Sequence, residues 1–246
     1  MDGNIQKGYA KCYIAFLDIL GFKNRINHSS CQEILEIYKD IKNPLENIYI
    51  GTQEIIAVKH IHTKVMSDSI CFYIDSKHQD ALFSLLCCCA IFQAKLLNRS
   101  TPILIRGAVV IGDIYAEGDI MFGSGLTQAY LLEEENARYP RIIITKETLS
   151  VGLKNVSRDS IRKNYNQFVF LDTDKYYVAN WLNFFSDMRP QDDKVNSNKG
   201  LKELAEYINV VLASETNASI REKYLYLDNT LSKYNNGNIG GNNDQL

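Results

Sequence analysis

The sequence predicts an α+β sandwich: one mixed, mainly antiparallel sheet with helices packed on it. Three observations carry this. Short β-branched and aromatic runs alternate with longer stretches of helical spacing. Some neighbouring strand-like runs are separated only by a few polar turn residues, as in a hairpin. The alternation also stops after Trp181, where the pattern becomes polar and then purely helical. At 246 residues the chain can hold one large domain, or one compact domain with an extension.

The elements follow in order. Residues 13–17 are apolar and end at Asp18, which reads as a buried strand delivering an acid at its tip. Ser30-Cys31-Gln32-Glu33 is a capping box that opens a helix through Ile34, Leu35, Ile37, Tyr38 and Ile41, stopped near Pro44. Strands are expected at 55–65 and 70–74, joined by the break Ser67-Asp68-Ser69. A helix over 79–97 precedes a strand over 103–111 and a short strand pair over 114–122 turning at Glu117-Gly118. A helix over 125–138, a strand over 141–145 and a short helix over 146–153 come next. Residues 168–171 and 176–179 form a last hairpin across Asp172-Thr173-Asp174. The expected order is β, α, ββ, α, β(β), α, β. Residues 187–200 read as a loop, and 201–231 show helical spacing through Leu204, Ile208, Val211, Leu212, Tyr224, Leu227 and Leu231. The Asn/Gly-rich end, 235–246, reads as disordered. This predicts three parts: a compact unit over 1–182, a loop and helical extension over 183–234, and a tail over 235–246.

Composition narrows the function. A formal net charge of -2 lacks the basic excess of a nucleic-acid binder. The six cysteines show no paired zinc spacing, and Cys87, Cys88 and Cys89 are consecutive in an apolar run, so all six are expected to be reduced core thiols. Residues 1–11 contain no apolar segment of a signal peptide. The apolar run 81–97 is short for a membrane span and carries Ser84, Gln93 and Lys95, which predicts a buried amphipathic helix. A cytoplasmic protein is the expectation.

Three segments carry chemistry. Phe16-Leu17-Asp18-Ile19-Leu20-Gly21-Phe22 presents a carboxylate at the end of an apolar strand, with the Ile19 carbonyl nearby. Hard cations take such oxygen ligands and complete their shell with phosphates; an Asp here also suits a helix cap. Lys64-Val65-Met66-Ser67-Asp68-Ser69-Ile70 puts a second acid at a hairpin tip, where an ordinary turn Asp is also at home. If the two strands are neighbours, the acids converge and can hold two cations for an in-line displacement. The third segment runs from Ile105-Arg106-Gly107 to Phe122-Gly123-Ser124-Gly125-Leu126-Thr127-Gln128-Ala129-Tyr130-Leu131-Leu132-Glu133, where Gly123 and Gly125 at a helix start could cradle a phosphate.

Together the segments resemble the class III nucleotidyl cyclase catalytic domain over roughly 13–145. An apolar strand followed by Asp, Ile, x, Gly, Phe stands at Asp18 to Phe22, and a base-contacting Lys four residues before an Asp at Lys64 and Asp68. The family's Arg-x-Gly strand is approximated at Arg106-Gly107, and its glycine-led helix at Gly123, Ala129, Leu132 and Glu133. Adenylyl cyclases of the family carry a transition-state Asn and Arg where this chain has Thr127 and Leu131, and an adenine-reading acid where it has Ile120, next to Asp119. With Phe-Leu-Asp-Ile-Leu-Gly-Phe, Ser-Asp-Ser and Arg-Gly-Ala, the pattern is similar to the short bacterial pyrimidine cyclases of the Pycsar antiphage systems.

The resemblance implies the following. Asp18, Asp68 and the Ile19 carbonyl hold two divalent cations, Mn²⁺ or Mg²⁺, with both acids catalytic. Gly21, Phe22, Lys64, Arg106 and Thr127 bind a nucleoside triphosphate, UTP before CTP. The protein works as a homodimer and signals to a cyclic-nucleotide-gated effector, with no nucleic acid or membrane partner. An adenylate or guanylate cyclase, or an inactive nucleotide-binding relative, remains an alternative. A diguanylate cyclase is disfavoured, because no Gly-Gly-[Asp/Glu]-Glu-Phe run exists.

Overall fold

The computed structural model describes residues 8–42, 49–50, 53–54, 58–157, 159, 162, 165–185 and 197–239. The strands are β1 (Ala10–Ile19), β2 (Tyr49–Ile50), β3 (Gln53–Glu54), β4 (His62–Met66), β5 (Ser69–Asp75), β6 (Ile105–Glu117), β7 (Ile120–Phe122), β8 (Ile142–Ile144), β9 (Val169–Leu171) and β10 (Tyr177–Ala179). The helices are α1 (Phe22–His28), α2 (Cys31–Lys42), α3 (Ala81–Leu97), α4 (Ser124–Asn136), α5 (Lys146–Lys154), α6 (Leu182–Phe185), α7 (Ser197–Ser214) and α8 (Ala218–Asn235). This is the α+β sandwich that the sequence predicts. Its main sheet has the order β4-β5-β1-β6-β8-β10-β9, with β7 paired to β6 and only β6–β8 parallel.

β1 is apolar along its length because both its faces are covered. Tyr13, Ala15, Leu17 and Ile19 point into the main core with α3, while Cys12, Ile14 and Phe16 pack on the opposite face with Ala129 of α4. The α4 contact is close. A Cβ on Gly112 of β6 would lie 2.5 Å from the Gly125 Cα, so helix and strand backbones touch where neither residue has a side chain.

α3 departs from expectation. All its residues except Lys95 are buried, so it is not amphipathic. One side faces the sheet through Phe83, Leu86 and Phe92. The other, with Cys87, Ala90, Ile91, Ala94 and Leu97, packs under Trp181, Leu204, Ile208 and Leu227. The C-terminal helices therefore cover what would otherwise be a solvent face, and a helix covered all round carries no polar stripe.

The capping box forms as expected. The Ser30 amide donates to Glu33 Oε2 at 2.7 Å, and the Glu33 amide to Ser30 Oγ at 3.3 Å. Other readings are corrected. The strand expected over 55–65 is broken: β3 is followed by a 3₁₀ turn, Val58–His60, and β4 starts at His62, with 55–57 outside the described residues. Just before the chain enters the main sheet at β4, His60 stacks on His78 with ring centroids 4.0 Å apart. β6 runs on to Glu117 and absorbs the first arm of the expected strand pair. α1 was not expected. The loop expected over 187–200 ends in helix from Ser197, and 186–196 lie outside the described residues. The helical stretch over 201–231 divides before Asn217, whose side chain caps α8 by accepting from the Ser219 and Ile220 amides. Of the expected disordered tail, Asn235 ends α8 and Ile239 is buried, while 240–246 lie outside the described residues. All six cysteines are free, but Cys31 is exposed at the start of α2, so only five are core thiols.

The backbone contact between β6 and α4 generates a test. Gly112→Ala should cost about 1–3 kcal/mol by overpacking. A shifted urea midpoint measures it, and an unchanged midpoint would show that the two backbones can part freely.

Candidate active site

The two sequence-predicted acids come together at one end of the sheet. Asp18 lies near the end of β1, opposite Ser69 of β5 and Arg106 of β6. Asp68 sits in the β4–β5 turn, and its carbonyl accepts from the Ile19 amide at 3.1 Å. That bond fixes the turn against the end of β1. The turn is also held by the Tyr38 hydroxyl, which donates to the Ser67 carbonyl at 2.8 Å. The chain then turns at Gly21, whose φ of 73° is the left-handed region that glycine enters without strain. Asp18 does not cap α1, since Gly21 is the cap position and no side chain bonds there.

Asp18 is not an unpaired acid. Arg106 Nε donates to its Oδ2 at 3.2 Å, and the same Nε lies 2.7 Å from Oε1 of Glu133 on α4. Arg106 is thus an interior-strand residue pointing into the site rather than a surface arginine. Burial raises the Asp18 pKa; the Arg106 hydrogen bond and charge pull it down, and Asp68 pushes it up. Burial likewise pushes Glu133 up to about 7, against the pull of Arg106, with Asp18 adding to the rise.

Glu133 is the residue whose role the sequence reading missed. It was legible only as the last letter of a helix motif. Its spacing on α4, four residues after buried Ala129, was the available signal that it faces the sheet.

The remaining predicted residues divide. Lys64 is on β4, two strands from Asp18, opposite Cys71, which pairs with Phe16. These partners put it on the Asp18 face. Its ammonium donates to the Gly118 carbonyl, so the tip of the β6–β7 hairpin lies against β4, with Asp119 and Ile120 next in the chain. Phe22 is buried in the core, edge-to-face with Tyr38 at 6.3 Å, so its ring is committed to packing. Thr127 is exposed on α4, with its hydroxyl 3.4 Å from the Gly123 carbonyl. Gly125 makes the close backbone contact with Gly112.

Among the described residues no three or more His, Cys, Asp or Glu side chains form a metal cluster. Two carboxylates with main-chain carbonyls still fit a magnesium-type ion, which keeps several waters and takes its other ligands from phosphate. The negative charge at Asp18, Asp68 and Glu133, balanced in part by Arg106, is what such an ion relieves.

This architecture has known counterparts. The monomeric guanylyl cyclase domain of the RhoGC fusion protein from the aquatic fungus Blastocladiella emersonii superposes with a TM-score of 0.50 at 12% identity, over 70% of this chain and 96% of that one. Looser superpositions are found with the adenylyl cyclase CyaB from P. aeruginosa (TM-score 0.44, 14% identity, 70% and 94% of the chains) and the adenylate/guanylate cyclase/hydrolase from Silicibacter pomeroyi (0.43, 18%, 69% and 94%). No protein-family model matches the sequence, and no curated protein matches it. The likeness is one of fold: the chain has the α+β fold of class III nucleotidyl cyclase domains. No helix among the described residues is long and apolar enough to cross a membrane.

The Glu133 environment predicts a pH effect. Its pKa is raised on folding, so its contribution to stability is full below the unfolded value of 4.5 and is lost as pH rises through about 7. Between about pH 5 and about pH 8 the melting temperature of the wild type should therefore fall relative to that of Glu133→Gln. Parallel profiles would show that Glu133 does not titrate in that window.

Proposed function

We propose that this protein is a nucleotide cyclase that converts a pyrimidine nucleoside triphosphate, UTP before CTP, to the 3′,5′-cyclic nucleotide and pyrophosphate. The observation that carries the reading is the convergence of Asp18 and Asp68 on one sheet end of a class III cyclase fold, joined by the Ile19 amide to Asp68 carbonyl bond. In this reading Asp18, Asp68 and the Ile19 carbonyl hold two divalent cations, Mn²⁺ or Mg²⁺. When bound, these lower the pKa of the ribose 3′-hydroxyl and neutralise the triphosphate. The 3′-hydroxyl releases its proton to solvent as its oxygen bonds to the α-phosphorus, the bond from that phosphorus to the bridging oxygen of the β-phosphate breaks, and pyrophosphate leaves with that electron pair. Gly21 and Phe22 offer main chain to the phosphates, Lys64 donates to the base edge, and Thr127 stands where the family places a transition-state donor. The product is an antiphage second messenger for a cyclic-nucleotide-gated effector, made in the cytoplasm. The catalytic unit is 1–182, with 183–234 as its extension.

The site is completed by a second copy of the chain. Met66, Tyr130 and Leu131 are large exposed apolar side chains on the β4 edge and on α4, around the Asp18 face, and Ile120 and Phe122 are exposed on the flanking hairpin. Their burial in a homodimer would bring Thr127 of one subunit toward the acids of the other.

Base choice rests on Ile120. An apolar side chain at the adenine-reading position leaves the exocyclic amine of adenine or cytosine without an acceptor, at a cost of about 1–3 kcal/mol, and uracil has no such amine. A second reading, with ATP or CTP as substrate, is favoured by one observation: the Lys64 ammonium sits on Gly118, beside Asp119, which could supply the acceptor.

Asp18→Asn and Asp68→Asn should each lower cyclic product by roughly 100-fold or more while the circular dichroism spectrum is retained. Near wild-type turnover of either variant in saturating Mn²⁺ contradicts the site. In a competition of all four nucleoside triphosphates at equal concentration, cyclic UMP should dominate the products identified by mass. Dominant cyclic AMP or cyclic GMP overturns the pyrimidine reading, and dominant cyclic CMP overturns only the preference for uracil. Full activity of a strictly monomeric species at nanomolar concentration would exclude the shared site.

A further inference from the structure

The Arg106 Nε carries one hydrogen and faces two carboxylates. Asp18 Oδ2 at 3.2 Å takes the hydrogen bond. Glu133 Oε1 is nearer, at 2.7 Å, but off the hydrogen-bond axis. That oxygen is buried and is left without a hydrogen bond, on a side chain only 3% exposed. A buried carboxylate oxygen in this position is unfavourable. Moving the hydrogen bond from Asp18 to Glu133 would satisfy it, and Arg106, with a side chain 25% exposed, is less confined than Glu133. The N–H is held on Asp18 by the strand register that sets the two residues opposite each other and by the negative charge of Asp18. A cation on Asp18 removes that attraction and repels the guanidinium. α4 fixes the destination, because Glu133 sits one turn beyond Ala129, where the helix is packed on the sheet.

We propose that Glu133 is a positioning residue that takes the Arg106 guanidinium away from Asp18, and thereby sets how tightly the site loads a divalent cation. The proposal rests on the reading of Asp18 as a metal ligand. The exchange is one hydrogen bond broken, one formed, and one ion pair replaced by metal coordination. Without Glu133 the guanidinium has a single carboxylate partner and competes with the ion for it. Without Arg106 nothing competes. The two residues therefore act on metal affinity with opposite sign, and Glu133 acts mainly through Arg106.

The test is Mn²⁺ binding to the full chain at pH 8.5 without nucleotide, followed by the paramagnetic resonance signal of the free ion. Glu133→Gln should raise the dissociation constant roughly tenfold, the scale on which one adjacent charge acts on a carboxylate. Arg106→Gln should lower it. The double variant should bind more tightly than the wild type, as Arg106→Gln does. Asp18→Asn should abolish this binding in every background; if it does not, Asp18 is no ligand and the site reading itself fails. If Asp18→Asn abolishes binding but Glu133→Gln binds like the wild type, or the double variant binds no more tightly than the wild type, the positioning role is overturned. Circular dichroism checks that each variant folds. Should Glu133→Gln not fold, Arg106→Gln and the double variant decide, since Mn²⁺ binding no tighter than wild type in either overturns the proposal.

Discussion

The structure depends on one strand buried on both faces. β1 pairs with β5 on one side and β6 on the other, and it is covered above by α3 and below by α4. A strand so enclosed has no freedom of register, since a slip by one residue would exchange its two sets of side chains between differently shaped cores. Asp18 inherits that rigidity. Its backbone is placed by the packing of Ile14, Phe16, Leu17 and Ile19, its carboxylate accepts from Arg106, and Asp68 is placed by its bond to the neighbouring amide. A pair of acids held this way would need little further ordering to take the cations proposed for them.

Electrostatically the site is arranged around a shared arginine. Arg106 lies on the strand next to β1, directly opposite Asp18, and reaches α4 as well. The strand after α4 returns to the same place: the Gly107 amide donates to the Arg141 carbonyl at 3.0 Å. Arg141 is itself buried between Asp172 and Asp174, and the Tyr226 hydroxyl of α8 donates to Asp172 at 2.7 Å. Tyr226 stacks on Tyr139 at 4.9 Å with the rings 2° from parallel. A continuous set of polar and aromatic contacts therefore links the C-terminal helices to the residue beside Arg106.

Much of this was legible in the sequence, for physical reasons that can be named. The two acids stood out because strand ends and hairpin tips are where polar side chains interrupt apolar runs, and the motif spacings tied them together. The capping box at Ser30 and Glu33 was readable because both partners are local. What failed was non-local. The even burial of α3 could not be read from 81–97, because the residues that cover its outer side lie far along the chain, at Trp181 and Leu182 and in α7 and α8. α1 begins with Phe22 and shows no polar cap, so nothing local announced it, and the Phe22 ring is buried in the main core with Tyr38 edge-on to it. Glu133 carried a motif letter but no visible task, because its partner Arg106 sits on a different element. The Asn217 cap was in plain view, yet the helical spacing on both sides masked the break.

The fate of the cysteines follows from the same packing. Burial pushes the Cys12 and Cys71 thiols up to about 12, and Cys87, Cys88 and Cys89 higher still. The thiolate is the form that reacts with peroxide, disulfides and electrophiles, so five of the six sulfurs are withheld from that chemistry while the core is closed. Only Cys31, at the head of α2, meets solvent. A run of three adjacent cysteines, which in an open segment would invite oxidation, is here made inert by two layers of structure, so resistance to oxidants and integrity of the core are one property.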